Sequence, residues 1–135
     1  MLGIEITEQI ALSGSQIIIE RINAIHNLGI KLIMDDFGMG HSSLIYLQNN
    51  NFDIVKLDGS LVKEILTNKR SSEIIMTIVN LSKNLEFDIV VEYVENIDQR
   101  DKLYGLGCEI YQGYYYSKAI PFEEFVEYAN QEREI

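Results

Sequence analysis

Short apolar runs alternate along this chain with longer stretches of mixed character, and five of the runs end in a charged or amide residue. Residues 4–6 carry Glu5 and lead to Glu8, and residues 30–34 end at Asp35-Asp36. Residues 52–57 deliver Lys56 and Asp58, residues 87–91 end at Glu92 with Glu95 just beyond, and residues 108–111 end at Gln112. Runs of this length, rich in Ile, Val and Phe, predict strands, the first of them over residues 2–7. Between them the period changes to that of helices. Ile18, Ile22, Ile25 and Leu28 follow the start signal Ser13-Gly14-Ser15 and stop at Gly29, a residue suited to a left-handed cap. A short helix is predicted at 44–48. A longer one carries Ile74, Ile75, Ile78, Val79 and Leu85 on one side, another spans 98–106 up to Gly107, and an amphipathic one spans 122–129 with Pro121 in its first turn.

Strands separated by helical stretches predict an α/β fold with parallel strands, whose C-terminal ends share one rim. The unit recurs: Phe-Asp-Ile-Val stands at 52–55 and 87–90, and Leu-Gly precedes a strand at 28–29 and 106–107. Successive β/α units of a barrel or of an open doubly wound sheet both fit. A (β/α)8 barrel takes about 250 residues, whereas these 135 residues supply about five of eight β/α units. The expectation is therefore a partial (β/α)8 TIM-type barrel, a piece of a larger domain with open strand edges and an apolar inner face. Homo-oligomers formed through those edges are expected.

Seven carboxylates and one lysine would then crowd a single rim: Glu5, Glu8, Asp35, Asp36, Asp58, Glu92 and Glu95 around Lys56. Divalent cations are the natural offset, since hard ions take oxygen ligands and a pair of them suits displacement at phosphorus. Two glycines, Gly38 and Gly40, follow Asp35-Asp36-Phe37 and mark a loop with unusual dihedrals or close approach to a ligand. A formal net charge of −10 disfavours non-specific binding to DNA. Cys108 is the single cysteine, so neither an internal disulfide nor a multi-cysteine metal site is available. No basic, apolar leader and no run near 20 apolar residues appears, so a membrane partner is not expected of this segment and a cytoplasmic location is.

Asp35-Asp36-Phe37-Gly38-Met39-Gly40-His41-Ser42-Ser43-Leu44 resembles the signature loop of EAL domains, bacterial phosphodiesterases acting on cyclic di-GMP. Glu5-Ile6-Thr7-Glu8 resembles the family's Glu-Leu-Thr-Glu, Lys56-Leu57-Asp58 its Lys-Ile-Asp, Val91-Glu92-Tyr93-Val94-Glu95 its Ala-Glu-Gly-Val-Glu, and Gln112-Gly113-Tyr114 its Gln-Gly-Tyr. The resemblance covers nearly the whole chain as the C-terminal part of one EAL domain, residues 1–135. It implies hydrolysis of cyclic di-GMP to linear pGpG with Mg²⁺ or Mn²⁺. Glu5 and Asp35 would hold a first ion, Asp36 and Glu92 a second. Lys56 would orient the attacking water, and Glu92 would act as general base if one ion binds. Glu8 would steady the loop of Phe37, Gly38 and Gly40, while Asp58, Glu95 and Gln112 would support the ligand and its surroundings.

Two departures bear on activity. The Glu-Ala-Leu strand and the asparagine of the family's second strand do not occur within these 135 residues and would lie before Met1. Both ligate metal in the family, so this chain by itself is expected to hydrolyse little. Tyr93 stands where the family usually has glycine, and a ring beside Glu92 would tilt that carboxylate or obstruct the ligand. A degenerate, non-catalytic EAL domain that binds cyclic di-GMP or scaffolds a partner is the alternative. A metal-dependent barrel enzyme with a carboxylate substrate is a third.

Overall fold

The computed structural model describes residues 2–7, 10, 15–38, 47 and 52–130. Five strands, β1 (Gly3–Thr7), β2 (Lys31–Phe37), β3 (Ile54–Leu57), β4 (Asp88–Val91) and β5 (Ile110–Tyr111), form one sheet in chain order, every pair parallel. Helix α1 (Gln16–Asn27) joins β1 to β2, and the short α2 (Gly59–Lys63) and long α3 (Lys69–Leu85) join β3 to β4. Helix α4 (Ile97–Gly105) joins β4 to β5, and α5 (Phe122–Asn130) closes the described chain. Strand order equal to chain order, with helical crossovers, is the topology of a barrel wall; the fold is a partial (β/α)8 barrel.

Pairing registers assign every strand residue to a face, because paired residues point the same way and neighbours point oppositely. Leu32, Met34, Val55, Leu57 and Val91 share one face, pack under Ile75, Val79 and Leu103 of the helices, and are buried. Glu5, Ile33, Ile54, Lys56, Val90 and Ile110 share the other, the face that lines the interior of a closed barrel. That face is incompletely covered: Ile33, Ile54 and Val90 are half-buried and Ile110 is exposed. The predicted uncovered inner face is thus present.

Local differences from the sequence reading have physical causes. On α3 the buried stripe is Ser71, Ile75, Ile78, Val79 and Ser82, while Ile74 and Leu85 face solvent. Small buried serines complete the stripe, and Ser82 satisfies its hydroxyl on the Val79 carbonyl. On α1 Ile22 is buried, but Leu28 lies beyond the helix and is exposed. Gly29 has the positive φ predicted for it and Gly107 also has positive φ at a helix end, whereas Glu86 takes the left-handed cap of α3 without being glycine. Helix α2 was not visible as a pattern, being too short for a period. The predicted helix at 44–48 lies outside the described residues apart from Leu47, which is helical and buried.

At the N-terminal end of the sheet, Lys31 Nζ donates to Asp53 Oδ1 at 2.6 Å and the Leu32 backbone N–H donates to Asp53 Oδ2 at 2.9 Å, with His26 Nε2 at 3.5 Å. Burial works to raise the Asp53 pKa, but these partners outweigh it and hold the carboxyl below its ordinary 3.8. This cluster clamps β2 to the start of β3 at the end opposite the carboxylate rim.

Candidate functional site

At the C-terminal rim, β2 was expected to break at Asp35-Asp36; instead it continues to Phe37 through a bulge. Met34 pairs with Val55 and Phe37 with Leu57, so Asp35 and Asp36 together oppose the single residue Lys56. Asp36 takes φ 59°, a left-handed conformation that aspartate tolerates better than most residues. The extra residue has a clear consequence. Without it Asp36 would point into the helix-side core and Phe37 to the inner face; with it Phe37 is buried in the core and Asp35 keeps the face of Lys56.

Lys56 is the centre of the rim. Its Nζ lies 2.9 Å from Glu92 Oε1, 3.2 Å from Glu5 Oε1 and 3.4 Å from Asp35 Oδ1. Three strands, β1, β2 and β3, and the end of β4 thus send one charged side chain each to a common point. The Lys56 and Glu92 side chains are only 9% and 10% exposed, against 24% for Asp35 and 52% for Glu5. The cluster therefore grades from a dry floor to a wet edge. Burial works to lower the lysine pKa, but the hydrogen bond and charge of Glu92, joined by Glu5 and Asp35, outweigh it and raise it above 10.5. Lys56 is an obligate cation here.

Four of the sequence-predicted residues accordingly meet: Glu5, Asp35, Lys56 and Glu92. Asp36 is exposed on the bulge and is not among the carboxylates on Lys56. Asp58 caps α2, accepting from the Ser60 backbone N–H at 2.7 Å; its partners there and Lys63 outweigh burial and hold its pKa below 3.8. Phe37 is a core residue whose carbonyl accepts from the Asp58 backbone N–H at 3.4 Å, and Gly38 has φ 109°. Glu8, Met39 and Gly40 lie outside the described residues.

Glu95 and Gln112 line a cavity of about 320 Å³ with Glu92, Tyr93, Gly113 and Tyr114. Its frame is two laced segments: Gln112 N–H donates to the Val91 carbonyl at 2.8 Å, Val94 N–H to the Gln112 carbonyl at 3.1 Å, and Tyr115 N–H to the Val94 carbonyl at 3.0 Å. Gly113 is required by this lacing, since a Cβ there would fall inside the Val94 backbone. Gln99, which the sequence reading passed over, is buried in α4 and accepts from the Glu95 N–H at 2.8 Å, fixing the turn after β4. Beyond Gly113, Tyr116 stacks on Tyr111 and meets Tyr115 edge-on, while Tyr114 is exposed.

The donor set suits a hard cation, and one observation supports the fit: Asp35 Oδ1 is buried without a hydrogen-bond partner. Among the described residues, however, no three Asp, Glu, His or Cys side chains are gathered into an ion-sized cage. The Lys56 ammonium holds their meeting point. Among the described residues no helix is long and apolar enough to cross a membrane.

Comparison with known proteins agrees with the fold. The family model described as EAL domain matches residues 1–119. Cyclic di-GMP phosphodiesterase RocR of Pseudomonas aeruginosa is 38% identical over 126 residues, covering 93% of this chain and 32% of that protein. The EAL enzyme Bd1971, solved with cAMP and cyclic di-GMP bound, superposes with a TM-score of 0.88 at 31% identity, over 93% of this chain and 33% of that one. BlrP1 of Klebsiella pneumoniae, solved as a manganese and cyclic di-GMP complex, superposes with a TM-score of 0.82 at 29% identity, over 86% and 30% of the two chains. This chain spans less than a third of the length of the curated relatives it matches.

Proposed function

Because this chain belongs to the EAL domain family, we propose that it forms the C-terminal part of a domain that hydrolyses cyclic di-GMP to linear pGpG in the bacterial cytoplasm. The observation that carries the reading is the convergence of Glu5, Asp35 and Glu92 on Lys56 from four consecutive strands. Glu5 and Asp35 would hold one divalent ion, Mg²⁺ or Mn²⁺, and Asp36 with Glu92 a second. When bound, such ions supply charge neutralisation at the phosphodiester and a more acidic water.

The chain's own residues supply the rest. Linear pGpG carries its phosphate on the 5′ side, so water adds to phosphorus, the P–O3′ bond breaks and O3′ leaves with a proton. Glu92, beside Lys56 at the dry floor, would accept the proton of the attacking water as general base where one ion binds, and would hold the second ion where two do. Lys56 presents a fixed positive charge to the water or to a phosphoryl oxygen and offsets the repulsion among the three carboxylates. Glu95 and Gln112 hold the ligand in the adjoining cavity.

A second reading, binding without cleavage, draws support from Tyr93, whose φ of 58° and position directly after Glu92 make the rim unlike a glycine-bearing one. One assay separates the two. Cyclic di-GMP is incubated with Mn²⁺ and the products are resolved, using this chain and a longer one that also carries a Glu-Ala-Leu strand before residue 1. The longer chain is expected to form pGpG and this chain little. Turnover by this chain equal to the longer one contradicts the expected ligand deficit, and binding without pGpG from the longer chain selects the second reading. We further propose that copies associate through the open edges of β1 and β5.

A further inference from the structure

Tyr93 is an expensive residue in its place. It is not glycine, yet it adopts φ 58°, a conformation in which a side chain with a Cβ is strained. Its ring is not tucked into the core but 52% exposed on the rim. The ring is nonetheless held. A Cβ on Gly59 would collide with the Tyr93 ring, so the ring lies directly against the first residue of α2. Lys63 stands one helical turn beyond Gly59 and places its Nζ 5.6 Å from the ring centroid. Residues four apart share a helix face, so α2 offers a glycine-and-lysine seat along which the ring is laid.

What this held ring borders is the cavity of Glu92, Glu95, Gln112, Gly113 and Tyr114. Tyr114, 68% exposed, is the other aromatic residue of its lining, and Lys118 Nζ lies 5.4 Å from that ring's centroid. The cavity therefore joins two lysine-braced tyrosines to two carboxylates and one amide. Aromatic walls take the flat face of a nucleobase, and carboxylate acceptors match a base edge carrying N–H donors, as guanine's does.

We propose that Tyr93 is a base-stacking residue, its ring seated on Gly59 and presented to one guanine of the dinucleotide in the cavity beside Glu92. This rests on the cyclic di-GMP reading above and deepens it: the tyrosine is a binding wall built into the rim rather than an obstruction. Gly59 is its positioning residue. Glycine there is required by contact, not by dihedral, so alanine at this first helical position displaces the ring without disturbing the backbone preference of α2.

Calorimetric titration of this chain with cyclic di-GMP, in EDTA so that no turnover occurs, tests the proposal. Tyr93→Gly is expected to weaken binding about tenfold, and Tyr93→Phe to stay within about twofold. Tyr93→Gly should at the same time raise or preserve Tm by relieving the left-handed strain, a split that a merely structural tyrosine would not produce. Gly59→Ala should weaken binding in the parent chain and add nothing in the Tyr93→Gly background. Binding by Tyr93→Gly as tight as or tighter than the parent overturns the wall and makes the ring a block. Absence of binding by the parent both in EDTA and with Mn²⁺ overturns the cyclic di-GMP reading, and the wall with it.

Discussion

Lys56 is where single residues decide the most. Removing one member of a buried charge cluster leaves the others uncompensated, and such losses cost about 3–5 kcal/mol. Lys56→Met fits the same volume but leaves Glu92, Asp35 and Glu5 facing one another. It is expected to lose about that much stability in urea unfolding at pH 7. Glu92→Gln keeps the hydrogen-bonding shape and removes the charge, so in the longer catalytic chain turnover should fall by about 10²-fold or more, with a smaller stability loss than Lys56→Met because Glu5 and Asp35 still pair the lysine. These side chains were legible in sequence because each ends an apolar run. The two adjacent aspartates carry equal weight in the sequence, and only pairing register distinguishes Asp35 beside Lys56 from Asp36 carried out on the bulge.

At the scale of elements, register and close approach govern the site. The β2 bulge aligns Phe37 with the core and Asp35 with Lys56, and no periodicity rule anticipates one inserted residue. Helix α2 escaped notice because five residues carry no helical period, although Asp58 before Gly59-Ser60 is a recognisable cap. The glycine after Gln112 has a sharper explanation in space than in sequence. Gly113→Ala would drive a methyl into the Val94 backbone and must part the two laced segments. We expect it to be severely destabilising, by about 3 kcal/mol or more, with loss of ligand binding greater than any side-chain change at Gln112. The Lys31–Asp53 clamp supplies the pH dependence. The folded pKa of Asp53 lies below its ordinary value, so its contribution is present above pH 3.8 and is lost as pH falls through the lower folded value. Asp53→Asn should therefore lower Tm at pH 7 and make progressively less difference as pH falls below 3.8, without affecting nucleotide binding at the opposite rim.

At the largest scale, the described residues form an arc of a barrel with Glu5, Asp35, Lys56 and Glu92 gathered at one rim and the inner face partly bare. Element order, parallel pairing and the arc's extent were readable from alternating runs and helical stretches, because crossovers impose that order. The contact of Tyr93 with Gly59 was not, since 34 positions separate them and nothing local marks the pair. Open edges at β1 and β5, with Ile110 exposed on the inner face, predict association that increases with concentration. Sedimentation velocity should show it, and Ile110→Lys should shift the population toward monomer; a strictly monomeric parent chain at high concentration would contradict the proposed self-association.

The central claim is that carboxylates from separate strands gather at one mouth to hold divalent ions together with a cyclic dinucleotide. Its most direct test is the affinity of this chain for cyclic di-GMP with and without Mn²⁺, in the parent and in Glu92→Gln. The account predicts tighter binding with Mn²⁺ and loss of that increment in Glu92→Gln. Affinity indifferent to Mn²⁺ in the parent chain would contradict it.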